Sequence, residues 1–218
     1  MKNLKCLFLS LLLITLISCD SSINNNNHKN ENKQEPQKFA LQLLLDSCLR
    51  SQPNSMNNDV SRSILADSIK VAFQKHIGDT LPFLSDIPLT FEMSLEYPPS
   101  PFKFYTESYK NAGKYVVKFG FGEITSKFTL SPDYKVSFQV FTIMEKEQVA
   151  SLVDNGLYRI NGTFIDFANN SAKTGFVLPS GKCLIDYPKV IFIDKKPYFS
   201  LGTLILENIT LEPLNRNK

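Results

Sequence analysis

The chain begins with an apolar run at residues 6–17, CLFLSLLLITLI. A polar stretch follows at residues 20–37, DSSINNNNHKNENKQEPQ, with Ile23 as its one aliphatic side chain. Too little apolar surface is present there to offset the entropy of ordering, so the stretch reads as a flexible tether. From Lys38 the pattern turns helical. Apolar residues at 41, 44, 45, 48 and 49 share one face of a short amphipathic helix, which Gln52-Pro53-Asn54 breaks. A second helix starts at a cap, Asn58 or Asp59. Its expected buried face is Val60, Ile64, Ile69, Phe73 and Ile77, with Gly78 in the C′ position.

At Ile87 the period drops to two. Ile87, Leu89, Phe91, Met93 and Leu95 alternate with mostly polar neighbours, which predicts a strand with one wet face. Tyr115, Val117, Phe119 and Phe121 predict the next strand, with Gly120 and Gly122 read as turn residues leading into Ile124–Leu130. Val136, Phe138 and Val140 predict another strand, ending near Ile143. Residues 145–156, EKEQVASLVDNG, return to helical spacing through Val149, Leu152 and Val153 and stop at Gly156. LYRINGTFIDF at 157–167 is a strand with Gly162 inside it. Short apolar pieces follow at 175–178, 183–187 and 190–193. The long closing strand, YFSLGTLILENITLEPL, carries Gly202 in its interior.

Three strands, a helix and further strands make the expected fold mainly β. Leu152 to Gly156, followed by Tyr158-Arg159-Ile160-Asn161-Gly162-Thr163-Phe164, and the closing strand at Ser200–Leu211 carry a resemblance to OB-like domains of the tRNA-anti-like group, related to anticodon-binding modules. It covers about residues 114–212. It implies an OB-like antiparallel β-barrel preceded by two short N-terminal helices. The strand at 87–97 then stands as an extra leading strand, and a long insertion precedes the closing strand. A lipocalin-like or other antiparallel barrel or sandwich is the alternative. The expected organisation is a leader at 1–18, the tether at 19–37, a helical extension at 38–86, the β domain at 87–213 and a polar tail at 214–218.

Lys2 and Lys5 precede the apolar run, which is shorter than the roughly 20 residues a membrane-spanning helix takes. Leu16-Ile17-Ser18-Cys19 resembles the lipobox of bacterial lipoproteins. The resemblance implies cleavage after Ser18 and acylation of Cys19, and more than one acyl chain is what stable anchoring requires. The expected location is the bacterial cell envelope, membrane-anchored, with the outer membrane favoured over the inner. Asp20, an inner-membrane retention signal in some bacteria, leaves that choice open.

Composition narrows the rest. Seventeen Phe and eight Tyr with no Trp suit a β-rich interior. Lysine and arginine total 24 against 21 acids, and two of the lysines lie in the leader. Such a balance lacks the basic excess of a nucleic-acid binder, so no nucleic-acid partner is expected. Cys48 and Cys183 are the cysteines left in the folded part. They form a possible disulfide, and two separate buried thiols are the alternative.

Catalytic motifs are sparse. His76 alone represents histidine in the folded part, at a helix end, and offers too little for a four-ligand zinc site. Pro179-Ser180-Gly181-Lys182 fails as a phosphate loop, because Gly175 lies one residue too far upstream and Cys183 replaces the required Ser or Thr. A hairpin turn is the better reading. Glu92 with Glu96, and Asp186 with Asp194, are the carboxylate pairs a paired-acid hydrolase would use, and exposed-face acids are the plainer account. The most unusual segment is 97–113. Phe102, Lys103, Phe104, Tyr105, Tyr109 and Lys110 there form a candidate binding loop in which aromatics interleave with lysines. Its plainer reading is a proline-stiffened segment packed over the barrel end. No cofactor, metal or enzymatic role is expected. The expected function is a non-enzymatic binding or scaffold module for an envelope protein or glycan. The alternative is a carrier of a small apolar ligand inside a lipocalin-like barrel.

Overall fold

The computed structural model describes residues 38–96, 113–122, 129–168 and 187–214. Helix α1 spans Ala40–Ser51 and α2 spans Asp59–Gln74. In α1 the expected face holds: Leu41 and Leu45 are buried, and Leu44, Cys48 and Leu49 pack at its margin. Phe39 supplies no side-chain cap. Asp86 does so from outside the helix, its Oδ2 accepting from the Ala40 amide at 3.2 Å. Asn58 caps α2, accepting from the Ser61 amide at 2.9 Å.

The buried face of α2 only partly matches the expected one, sharing Ile69 and Phe73 with it. Leu65, Ala66, Ile69 and Phe73 are buried, whereas Val60, Ile64 and Ile77 lie exposed. Both stripes have helical spacing, and only the packing surface chooses between them. Gly78 does adopt a left-handed φ of +84°, but α2 has already ended at a Lys75 C-cap. The Gly78 amide donates to the Phe164 carbonyl and the Phe164 amide to the Asp79 carbonyl, each at 2.8 Å. The glycine therefore fastens the turn to a strand instead of capping the helix.

The remaining elements are β1 (Pro88–Glu96), β2 (Tyr115–Gly122), β3 (Lys135–Met144), α3 (Lys146–Ala150), β4 (Leu157–Phe167), β5 (Lys189–Ile193) and β6 (Lys196–Leu214). The protein is mainly β, with helices at the N-terminal side of one six-stranded sheet of order β3-β2-β1-β4-β6-β5. Neighbours in that order are antiparallel, and β3 makes a further, parallel pairing with β6. Strand β1 is thus no extra leading strand. It sits between β2 and β4, with Phe91 opposite Phe119 and Leu89 opposite Tyr158.

A bulge at Glu92 corrects the expected alternation in β1. Phe91 pairs with Phe119, yet Met93 pairs with Lys118, so one extra residue slips in. Beyond it Met93 and Leu95 turn outward and are exposed. Gly120 and Gly122 lie inside β2 rather than at a turn. Helix α3 is shorter than the expected 145–156. It opens with a capping box between Glu145 and Gln148; Val149 in it and Leu152 beyond its end pack half-buried against the core, while Val153 is exposed.

Strand β4 has its expected limits. Gly162 there meets β6 closely: a Cβ would stand 2.9 Å from the Glu207 carbonyl oxygen and 2.8 Å from Ile209 Cγ2. Gly202 bends β6 at φ +83°, where its pairing with β3 slips register. A two-residue turn, Asp194-Lys195 with φ of 51° and 64°, joins β5 to β6, as in a type I′ hairpin.

One core joins helices and sheet. Phe73 of α2 meets Phe83 at 4.6 Å and Phe167 at 5.8 Å between ring centres. Phe119 meets Phe91 at 5.8 Å and Tyr158 at 5.9 Å, and Phe121 stacks on Phe138 at 5.3 Å. Val116, Phe141, Ala168 and Ile205 form a smaller buried cluster. By alternation with Val117 and Val140 it lies on the opposite face of β2 and β3.

Candidate binding cleft

On that opposite face, β1, β2, β3 and β6 enclose an open polar cleft of about 290 Å³. Strand β3 turns Val136, Phe138 and Val140 into the core, so Ser137 and Gln139 face outward. Tyr198, Ser200 and Thr203 come from β6, aligned by its parallel pairing with β3. Ser137 Oγ and the Tyr198 hydroxyl stand 2.5 Å apart. The bulge at Glu92 aims its carboxylate across β2, where Oε2 meets Lys118 Nζ at 2.6 Å. A glycine at 120 is what allows this, because a Cβ there would lie 1.8 Å from Glu92 Oε1. With the ion pair neutral, the cleft presents hydroxyls and an amide that both donate and accept.

A second open cavity, of about 410 Å³, lies between α2 and β5. Its walls are Asp59, Arg62, Ser63, Ala66 and Asp67 on the helix and Pro188–Phe192 on the strand side. Where this cavity ends, Lys70 Nζ sits 3.4 Å from the centre of the Tyr187 ring.

No protein-family model matches this chain. Neither does any curated protein or any solved structure.

The residues singled out in the sequence fall in several places. Cys19, Cys183, Asp186 and the loop residues Phe102, Lys103, Phe104, Tyr105, Tyr109 and Lys110 lie outside the described residues. Cys48 is a free, half-buried thiol on α1, and burial pushes its pKa up. His76 packs edge-on against Phe83 at 5.4 Å. The bulge gives Glu92 and Glu96 different partners, Lys118 for the first and the Tyr115 hydroxyl at 3.4 Å for the second. Asp194 serves the hairpin turn. Among the described residues no three His, Cys, Asp or Glu side chains gather to hold a metal ion, and no helix is long and apolar enough to cross a membrane.

Sequence reasoning passed over the cleft residues. The signal was present in part, since Ser137 and Gln139 are the polar phase of an otherwise apolar strand. Nothing in the linear pattern set them beside Tyr198 and Ser200, some sixty positions away, because a parallel pairing does that.

Proposed function

We propose that this chain is a lipid-anchored lipoprotein of the bacterial envelope, held by acyl chains on Cys19, whose OB-like β-barrel binds glycan without catalysing a reaction. The barrel reading is supported by the pairings. They run β1 to β2, β2 to β3, β3 in parallel to β6, β6 to β4 and β4 back to β1, with α3 between β3 and β4. An OB-like barrel uses five strands in this way and offers the outer face of its second and third for binding. Strand β5 is then an added hairpin arm.

The cleft carries the functional reading. Ser137, Gln139, Tyr198 and Ser200 present mixed donors and acceptors around a neutral ion pair, in about 290 Å³. Sugar hydroxyls both donate and accept, so this chemistry matches them better than a phosphate, which needs fixed positive charge. The core favours surface binding over the carrier alternative. Phe91, Phe119, Phe121, Phe138, Phe164 and Phe167 are packed where a hollow barrel would hold its ligand.

Two measurements test the proposal. Radiolabelled palmitate is expected to enter the wild-type chain in cells and not a Cys19→Ala variant. Titration calorimetry of the full chain in detergent, against oligosaccharides released from the envelope, is expected to detect binding. Ser137→Ala and Gln139→Ala should each weaken it about fivefold, one hydrogen bond's worth. No heat with any oligosaccharide, or wild-type affinity in both variants, rejects the glycan reading.

A further inference from the structure

The unused feature of the fold is the edge strand β5. Among the described residues it pairs only with β6, which leaves its other edge open. It also exposes three consecutive large apolar side chains, Ile191, Phe192 and Ile193, at 44%, 49% and 38% of their full surface. Natural sheets protect such edges with charges, proline or a covering element, because an open apolar strand pairs with other chains. Here the charges stand at the ends only, at Lys189 and at the Asp194-Lys195 turn.

We propose that β5 pairs antiparallel with β5 of a second copy, forming a two-fold dimer centred on Ile191. Self-complementarity of charge selects this occupant. In that register Lys189 lies opposite Ile193 of the second copy, and Val190 opposite its Phe192. Continuing along the hairpin, the Lys195 tip reaches the position of the second copy's Tyr187. The cavity beside β5 begins there, at Pro188, and Asp67 of α2 forms its wall. Asp67 and Lys195 are both exposed, and among the described residues neither has an ion-pair or hydrogen-bond partner. Lys70, one helical turn from Asp67, is already seated on the Tyr187 ring. A two-fold axis makes the Lys195–Asp67 contact twice, once in each direction, as an isologous interface requires. Each copy thus brings an open backbone edge, an apolar strand to cover, a cationic tip and an acidic wall to receive it.

The test uses the full chain in mild detergent. On the two-fold axis residue 191 faces itself, within disulfide reach across an antiparallel pair. Ile191→Cys is therefore expected to form a cross-linked dimer on mild oxidation, well above the wild-type background of native cysteines. Val153→Cys, exposed just beyond α3 and away from β5, is expected to stay at background. In sedimentation equilibrium, Asp67→Lys and Lys195→Asp should each weaken the dimer about tenfold, and the double variant should restore it. Recovery in the double variant separates a contact between copies from damage to the fold. Cross-linking no higher than in Val153→Cys overturns the proposal. So does a monomeric wild-type chain, which would leave the edge to a different protein, or charge reversals without effect.

Discussion

Tyr134 is buried, and its hydroxyl donates to Asp46 Oδ1 of α1 at 2.9 Å, with the Gln42 carbonyl 3.3 Å away. Asp46 Oδ2 in turn meets Lys38 Nζ at 3.0 Å. One phenol thus fastens the first helix to the sheet. Burial, and next the Asp46 carboxylate, push the Tyr134 pKa far above its usual value near 10. A raised folded-state pKa stabilises fully below the unfolded value and loses that contribution as pH rises past it. Tyr134→Phe is expected to cost about 2 kcal/mol near neutral pH, the scale of a hydrogen bond to a charged group. The difference from wild type should shrink above about pH 10, as the unfolded tyrosine ionises. Urea titrations of both proteins across that range check it, and a pH-independent difference refutes the assignment. Sequence alone marked Tyr134 as nothing special, because its partners lie about ninety residues upstream. Gly202 was legible, since an interior glycine in a long strand implies a bend and the chain does take a positive φ there.

Helix α2 separates what pattern reveals from what it leaves open. Its start was readable from local chemistry, with Asn58 one of two cap candidates, but its end at Gln74 comes before the expected Gly78 stop. Its buried face was readable only at Ile69 and Phe73, because apolar residues lie on both sides of the helix. The structure buries Leu65 and leaves Ile64 more than half exposed, although the two are neighbours. Leu65→Ala is therefore expected to cost 2 kcal/mol or more, roughly the price of a core cavity. Ile64→Ala should stay within about 0.5 kcal/mol, as a surface change does. Equal losses in urea unfolding would mean that the helix is rotated from this placement. Strand β1 repeats the lesson. Alternation located it, but the bulge at Glu92 turned Met93 and Leu95 outward, and a bulge leaves no mark on a period-two pattern.

At the scale of the whole molecule, Leu41, Leu45, Leu65 and Phe73 of the helices share one hydrophobic cluster with Phe119, Val140, Phe164 and Leu204 of the sheet. Helices and sheet are expected to unfold in one transition. Far-ultraviolet circular dichroism and tyrosine fluorescence should give coincident urea curves, and a separate early loss of helix would contradict a shared core. Strand periods, helix spans and turn residues are local, so the sequence by itself determined the mainly β character, the two N-terminal helices and the limits of β4. The parallel contact of β3 with β6, the place of β1 between β2 and β4, and the cleft those strands form depend on residues far apart in the chain. Only the tertiary structure decided them, because spatial neighbours across a sheet leave no periodic trace along a single strand.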